Sequence, residues 1–126
     1  MIQVLIVDDS KATRELLASA LEGLPEAEII EVASGFEALK ILPRHRFDLI
    51  VTDINMPDIN GLELINFVKK SPAYREVPLF IVSSEAKEHD RQRGLALGAA
   101  EYLTKPFDPA ALLALAKRHL GLGSND

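Results

Sequence analysis

The chain has 126 residues, 48% of them apolar and 26% charged, which suits one compact domain with a real core and argues against disorder. A formal net charge of −5 repels phosphate backbones, so direct nucleic acid binding is not expected. With no cysteine in the chain, disulfides, thiolate metal sites and a cysteine nucleophile are excluded.

The first apolar run covers residues 2–7 and meets Asp8-Asp9 almost at once. That is too short to span a membrane, and no basic region precedes it. Neither a signal peptide nor a membrane anchor is therefore expected, and the expected location is the cytoplasm. Leu16, Leu17, Ala20, Leu21 and Leu24 then recur at helical spacing, with Gly23-Leu24-Pro25 reading as the end of that helix. A second strand is predicted over 28–33, followed by a shorter stripe of Phe36, Leu39 and Leu42. The third strand runs over 48–52 and is closed by Asp53, after which Leu64, Ile65 and Val68 mark another helix. A fourth, over 77–82, leads into Ser83-Ser84. The segment 86–97 is polar, and it is predicted as a helix with weak apolar anchoring that ends at Leu97-Gly98. The fifth strand covers 101–104 and runs into Lys105-Pro106. Asp108-Pro109 then reads as an N-cap with proline at the first helical position, ahead of a stripe of Leu112, Leu113, Ala116 and Leu120.

Val4-Leu5-Ile6-Val7, Leu49-Ile50-Val51 and Leu79-Phe80-Ile81-Val82 are apolar at every position, as in strands buried on both faces of a parallel sheet. Five strands alternating with five helices predict an α/β domain of (βα)5 type over 1–121. Residues 122–126 are expected to form a flexible tail.

In open α/β sheets, ligands bind beyond the carboxyl ends of the strands. Asp8 and Asp9 follow the first strand, Asp53 the third, Ser83 and Ser84 the fourth, and Thr104 and Lys105 the fifth. Each has a plain structural reading: the acids and serines as turn residues or helix caps, the lysine as a solvated side chain. Independent caps would scatter in chemical type, whereas these groups form a matched set. Three adjacent carboxylates repel one another, and a hard divalent cation such as Mg²⁺ relieves that repulsion. Asp53 could then act as a carboxylate nucleophile toward phosphorus, with Lys105 and Ser83 holding phosphoryl oxygens.

Three segments resemble the motifs of response-regulator receiver domains in two-component signalling. They are Val4-Leu5-Ile6-Val7-Asp8-Asp9-Ser10, Asp48-Leu49-Ile50-Val51-Thr52-Asp53-Ile54-Asn55-Met56-Pro57, and Gly98-Ala99-Ala100-Glu101-Tyr102-Leu103-Thr104-Lys105-Pro106-Phe107. The similarity covers about residues 2–120. It implies a flavodoxin-like, doubly wound parallel sheet in the order 2-1-3-4-5. It also implies that Asp53 accepts a phosphoryl group from the phosphohistidine of a sensor histidine kinase or phosphotransfer protein. Asp9, Asp53 and the backbone carbonyl of Asn55 would ligate Mg²⁺, and Asp8 would hold metal-bound water. Ser83 and Lys105 would contact the phosphoryl group, small Ser84 would leave it room, and the Lys105-Pro106 bond would be cis. Asn55 and Glu85 stand where the family tunes phosphoryl lifetime, and Tyr102 where it carries a switching aromatic. The segment 85–98 would be the element biased by phosphorylation. Tyr102 and the helix from Asp108 would then form a recognition face for an output protein or fused output domain. Such a protein is not an enzyme, although self-phosphorylation and autodephosphorylation are expected of it.

Three rivals are open. An aspartate-nucleophile phosphatase of the haloacid-dehalogenase kind would want its two acids one residue apart after the first strand, where this chain has adjacent Asp8-Asp9. A nucleotide-binding flavodoxin relative would want a glycine-rich loop there. An interaction module that ignores phosphorylation would have no use for the full polar set. His45, His89 and His119 have no catalytic partner nearby in sequence and are read as surface residues.

Overall fold

The computed structural model describes residues 1–84 and 88–122. The three wholly apolar runs become the middle of a sheet: β1 (Ile2–Val7), β3 (Leu49–Thr52) and β4 (Leu79–Ser83), of which β3 and β4 are buried at every position. The edge strands β2 (Ala27–Val32) and β5 (Glu101–Thr104) are half-buried, and β2 turns Glu28 and Glu31 to solvent. All pairings are parallel, in the order β2-β1-β3-β4-β5. Val4 sits opposite Ile29 on one side and Leu49 on the other, so the register brings the strand ends to one rim.

Alternate strand residues face opposite sides, and each side has its own core. Val4, Ile6, Val51, Phe80 and Val82 pack under α1 (Lys11–Leu21) and α5 (Pro109–His119), which supply Leu17, Leu21, Leu112 and Ala116. Leu5, Val7, Ile50 and Ile81 pack under α2 (Gly35–Ile41) and α3 (Gly61–Lys70), with Ala38, Leu64, Ile65 and Val68. The remaining helix, α4 (Glu88–Leu97), buries only Gly94, which matches its polar sequence. Four helices start at the rim with side-chain caps: Ser10, Ser34 and Asn60 each accept from the backbone N–H three residues on, and Asp108 from that of Ala110.

Two residues assigned to apolar stripes lie outside the core. Leu16 is 60% exposed, because Leu17, Ala18 and Leu21 take the sheet-facing side of α1. It lines a cavity of about 180 Å³ with Thr13, Lys105, Pro106, Phe107 and Pro109. Phe36 is 57% exposed, since Ala38 and Leu42 already cover the sheet there. Leu42 itself belongs to a short 3₁₀ turn (Leu42–Arg44), where Pro43 lacks the N–H needed to continue the α ladder. Strand ends otherwise shift by one or two residues from expectation. Asp48, for example, precedes β3 and bonds Gln3 from just outside it, by Asp48 N–H to Gln3 O at 2.7 Å and Gln3 N–H to Asp48 Oδ2 at 2.8 Å.

Candidate functional site

The sheet's hydrogen-bond ladder runs on by one rung into the polar residues. Asp8 N–H donates to Val32 O at 3.2 Å, Asp53 N–H to Val7 O at 3.0 Å, and Lys105 N–H to Ser83 O at 2.8 Å. Asp8, Asp53 and Lys105 therefore inherit their backbone positions from the sheet, and their side chains converge. Lys105 Nζ lies 3.0 Å from Asp8 Oδ2 and 3.3 Å from Asp53 Oδ2. Asp8 is fully buried and Asp53 nearly so, whereas Asp9 is exposed. Burial alone pulls the Lys105 ammonium down, but the hydrogen bond to Asp8 and the charges of Asp53 and Asp8 outweigh it and hold its pKa above the ordinary value.

The carboxylates are themselves fixed. Asp8 Oδ1 accepts from Ser10 N–H at 2.8 Å, and Arg14 Nη1 donates to the Asp8 carbonyl at 2.7 Å while its Nε lies 3.5 Å from Glu31. Asp53 Oδ1 accepts from Ile54 N–H at 2.7 Å, and Thr52 Oγ1 donates to the Asp53 carbonyl at 2.9 Å. Gly61 presses against that same carbonyl, so close that a Cβ atom there would collide with it.

Asp8, Asp9 and Asp53 each offer an oxygen within 4.8 Å of the other two. Among the described residues, these three carboxylates against the Lys105 ammonium leave two negative charges, which one divalent cation would balance. The donors are hard oxygens, the type that Mg²⁺ prefers. The set fits a Mg²⁺ ion.

The other expected site residues are placed as follows. Ser83 is buried and pairs with Thr104 across the β4–β5 register, while Ser84 is exposed beyond it. Asn55 is exposed in the loop between β3 and α3. Glu85 lies outside the described residues. The Lys105–Pro106 bond is cis. Tyr102 is half-buried opposite Ile81, and a Cβ on Gly94 of α4 would come within 3.4 Å of its ring.

Of the histidines, His89 and His119 are exposed and His45 is half-buried, and both His45 and His119 have side-chain partners. His45 Nδ1 lies 3.1 Å from Gln3 Oε1, and its ring centroid is 5.3 Å from that of Phe47. His119 Nε2 lies 2.8 Å from Glu101 Oε2, with its ring edge-on to Phe80.

Sequence reasoning missed Arg14, Gly61 and Asp58. The exposed Asp58 carboxylate accepts from Gly35 N–H at 3.1 Å, Phe36 N–H at 2.9 Å and Ile59 N–H at 2.6 Å. The Phe36 N–H leads in holding its pKa down to about 2, desolvation opposes it, and the Ile59 and Gly35 N–H groups add to it. No pattern flags Asp58. The start of α3 was readable, because Asn60-Gly61-Leu62-Glu63 spells a capping box that the structure forms.

A family model described as the response regulator receiver domain matches residues 4–117. The chain is 40% identical over 117 residues to an uncharacterized 14.6 kDa protein of Leptolyngbya boryana, covering 92% of this chain and 88% of that one. It is 32% identical to a chemotaxis protein CheY homolog of Campylobacter jejuni, covering 98% and 96%. Among solved structures, the chemotaxis response regulator CheY4 of Vibrio cholerae superimposes with a TM-score of 0.84 at 35% identity, covering 94% of this chain and 98% of that one.

Proposed function

The chain belongs to the response regulator receiver family of two-component systems, and on that premise we propose that Asp53 takes a phosphoryl group from a histidine kinase or phosphotransfer protein. The observation that carries this reading is the Lys105 ammonium lying between Asp8 and Asp53, at 3.0 and 3.3 Å, beside a carboxylate cluster suited to Mg²⁺. Asp8, Asp9 and Asp53, with the Asn55 carbonyl, would hold that ion. When bound, it would neutralise the carboxylates and the incoming phosphoryl oxygens.

In the transfer, a carboxylate oxygen of Asp53 forms the bond to phosphorus as the P–N bond of the phosphohistidine breaks. The imidazole leaves with the electron pair and takes up a proton. Lys105 turns from the Asp53 carboxylate to a phosphoryl oxygen, and the Ser83 hydroxyl donates to another. The new group adds about −1.5 to −2 charge, a change large enough to bias a two-state element. α4 and Tyr102 are that element, and α4, β5 and α5 form the face read by an output protein or fused output domain. Water later cleaves the acyl phosphate, so the protein signals rather than turning over a substrate. Among the described residues no helix is long and apolar enough to cross a membrane, and we place the site of action in the cytoplasm.

Incubation with Mg²⁺ and acetyl phosphate, followed by intact-mass measurement, tests this reading. One metal-dependent phosphoryl adduct that Asp53→Asn abolishes is expected. Absence of both the adduct and beryllofluoride binding in folded protein would leave an interaction module that works without phosphorylation.

A further inference from the structure

Residues 54–60 connect β3 to α3 and carry Asn55. The loop is pinched at its base, where Gly61 N–H donates to Ile54 O at 2.8 Å and Ile54 is buried. Beyond the pinch, Met56 packs on the core, while Asn55, Pro57 and Asp58 face solvent. Asp58 ties the loop's outer half to another element. Its two oxygens take the N–H groups of Gly35 and Phe36, more than twenty residues away in the chain and at the start of α2. The two segments touch directly as well: a Cβ on Gly35 would lie 2.7 Å from both the Cβ and the carbonyl oxygen of Ile59.

A backbone carbonyl serves as a metal ligand only if its peptide plane is held, since no rotamer choice can aim it. We propose that Asp58 is a positioning residue for the metal site, tying the Asn55 loop to the first turn of α2 so that the Asn55 carbonyl is held in place for the ion. This rests on the reading of Asn55 as a carbonyl ligand. It also makes α2 part of the site's support, although no α2 side chain enters the site.

The test is Mg²⁺ affinity of the intact chain by titration calorimetry, for the unaltered protein and for Asp58→Ala, Asp58→Asn and Ser34→Ala. Ser34→Ala removes the other cap of α2, where Ser34 Oγ accepts from Glu37 N–H at 3.2 Å, and leaves the loop tie intact. Asp58→Ala is expected to weaken Mg²⁺ binding about tenfold, the lower end of what loss of an outer-sphere partner costs, and Ser34→Ala by less than about twofold. Asp58→Asn keeps one acceptor oxygen, should fall between them, and carries the comparison if the alanine variant does not fold. Amide exchange over 54–60 should quicken in the Asp58 variants alone. Equal affinity in all variants overturns the proposal. Equal weakening by Asp58→Ala and Ser34→Ala also overturns it, because the effect would then be helix stability. No Mg²⁺ binding by the unaltered protein overturns the receiver reading and this inference with it, a result distinct from binding that Asp58→Ala leaves unchanged.

Discussion

The Lys105 ammonium lies between two carboxylates, one of them fully buried. Removing one partner of such a group leaves an uncompensated charge in a low-dielectric place, which costs far more than the intact pair contributes. Lys105→Met should therefore destabilise the metal-free protein by about 3 kcal/mol in urea unfolding. Adding Mg²⁺ should recover part of that loss, because a second cation takes over the neutralisation. The raised Lys105 pKa sets the pH window: its stabilisation is fully present below the ordinary 10.5 and is lost only as pH rises through the higher folded value. The gap between the two proteins should thus be flat near neutrality and close in strong alkali. Asp8, Asp9, Asp53 and Lys105 were legible in the sequence because each lies within two residues of a strand's end, and strand ends are readable. Arg14 and Asp58 were not, because they bond backbone groups that every sequence has: the carbonyl of Asp8, and the N–H groups of Gly35 and Phe36.

Among the elements, α3 begins under the tightest constraint. Gly61 abuts the Asp53 carbonyl, and its own N–H is spent on Ile54. Backbone facing backbone cannot swing aside as a long side chain can. Gly61→Ala should accordingly cost about 3 kcal/mol by thermal or urea unfolding, the upper part of the range for overpacking. A smaller loss would mean that the loop can move away from the site. The three central strands were legible through their uniformly apolar runs, but the strand order was not: spacing shows alternation, and only the family resemblance supplied 2-1-3-4-5. The helical stripes were misread at Leu16 and Phe36 for a physical reason. A period of 3.6 leaves neighbouring positions nearly equivalent, and only the tertiary fit decides which one turns inward.

Across the whole molecule stability is unevenly spread. Three apolar central strands, two half-buried edge strands and four capped helices hold one body together, while α4 lies on it with Gly94 as its single buried residue. Regions with few buried apolar contacts open locally at low free energy. Amides of 88–97 should exchange with solvent well before those of α3, and exchange as slow as that of α3 would argue against α4 as the responsive element. The polar composition of this segment was visible from the start and marked it as weakly anchored, and the structure adds that Gly94 is its one buried position. The extra rung on each ladder, at Asp8, Asp53 and Lys105, has a bearing on how such a protein can diverge. An inserted residue before Asp53 slips the strand by a step and turns the acid to the wrong face, and one just after it displaces Asn55 and breaks the Ile54–Gly61 pinch. The stretch held fixed therefore runs past the strand end into the loop as far as Gly61, and drift is cheapest on the solvent faces of the helices, away from the chemistry.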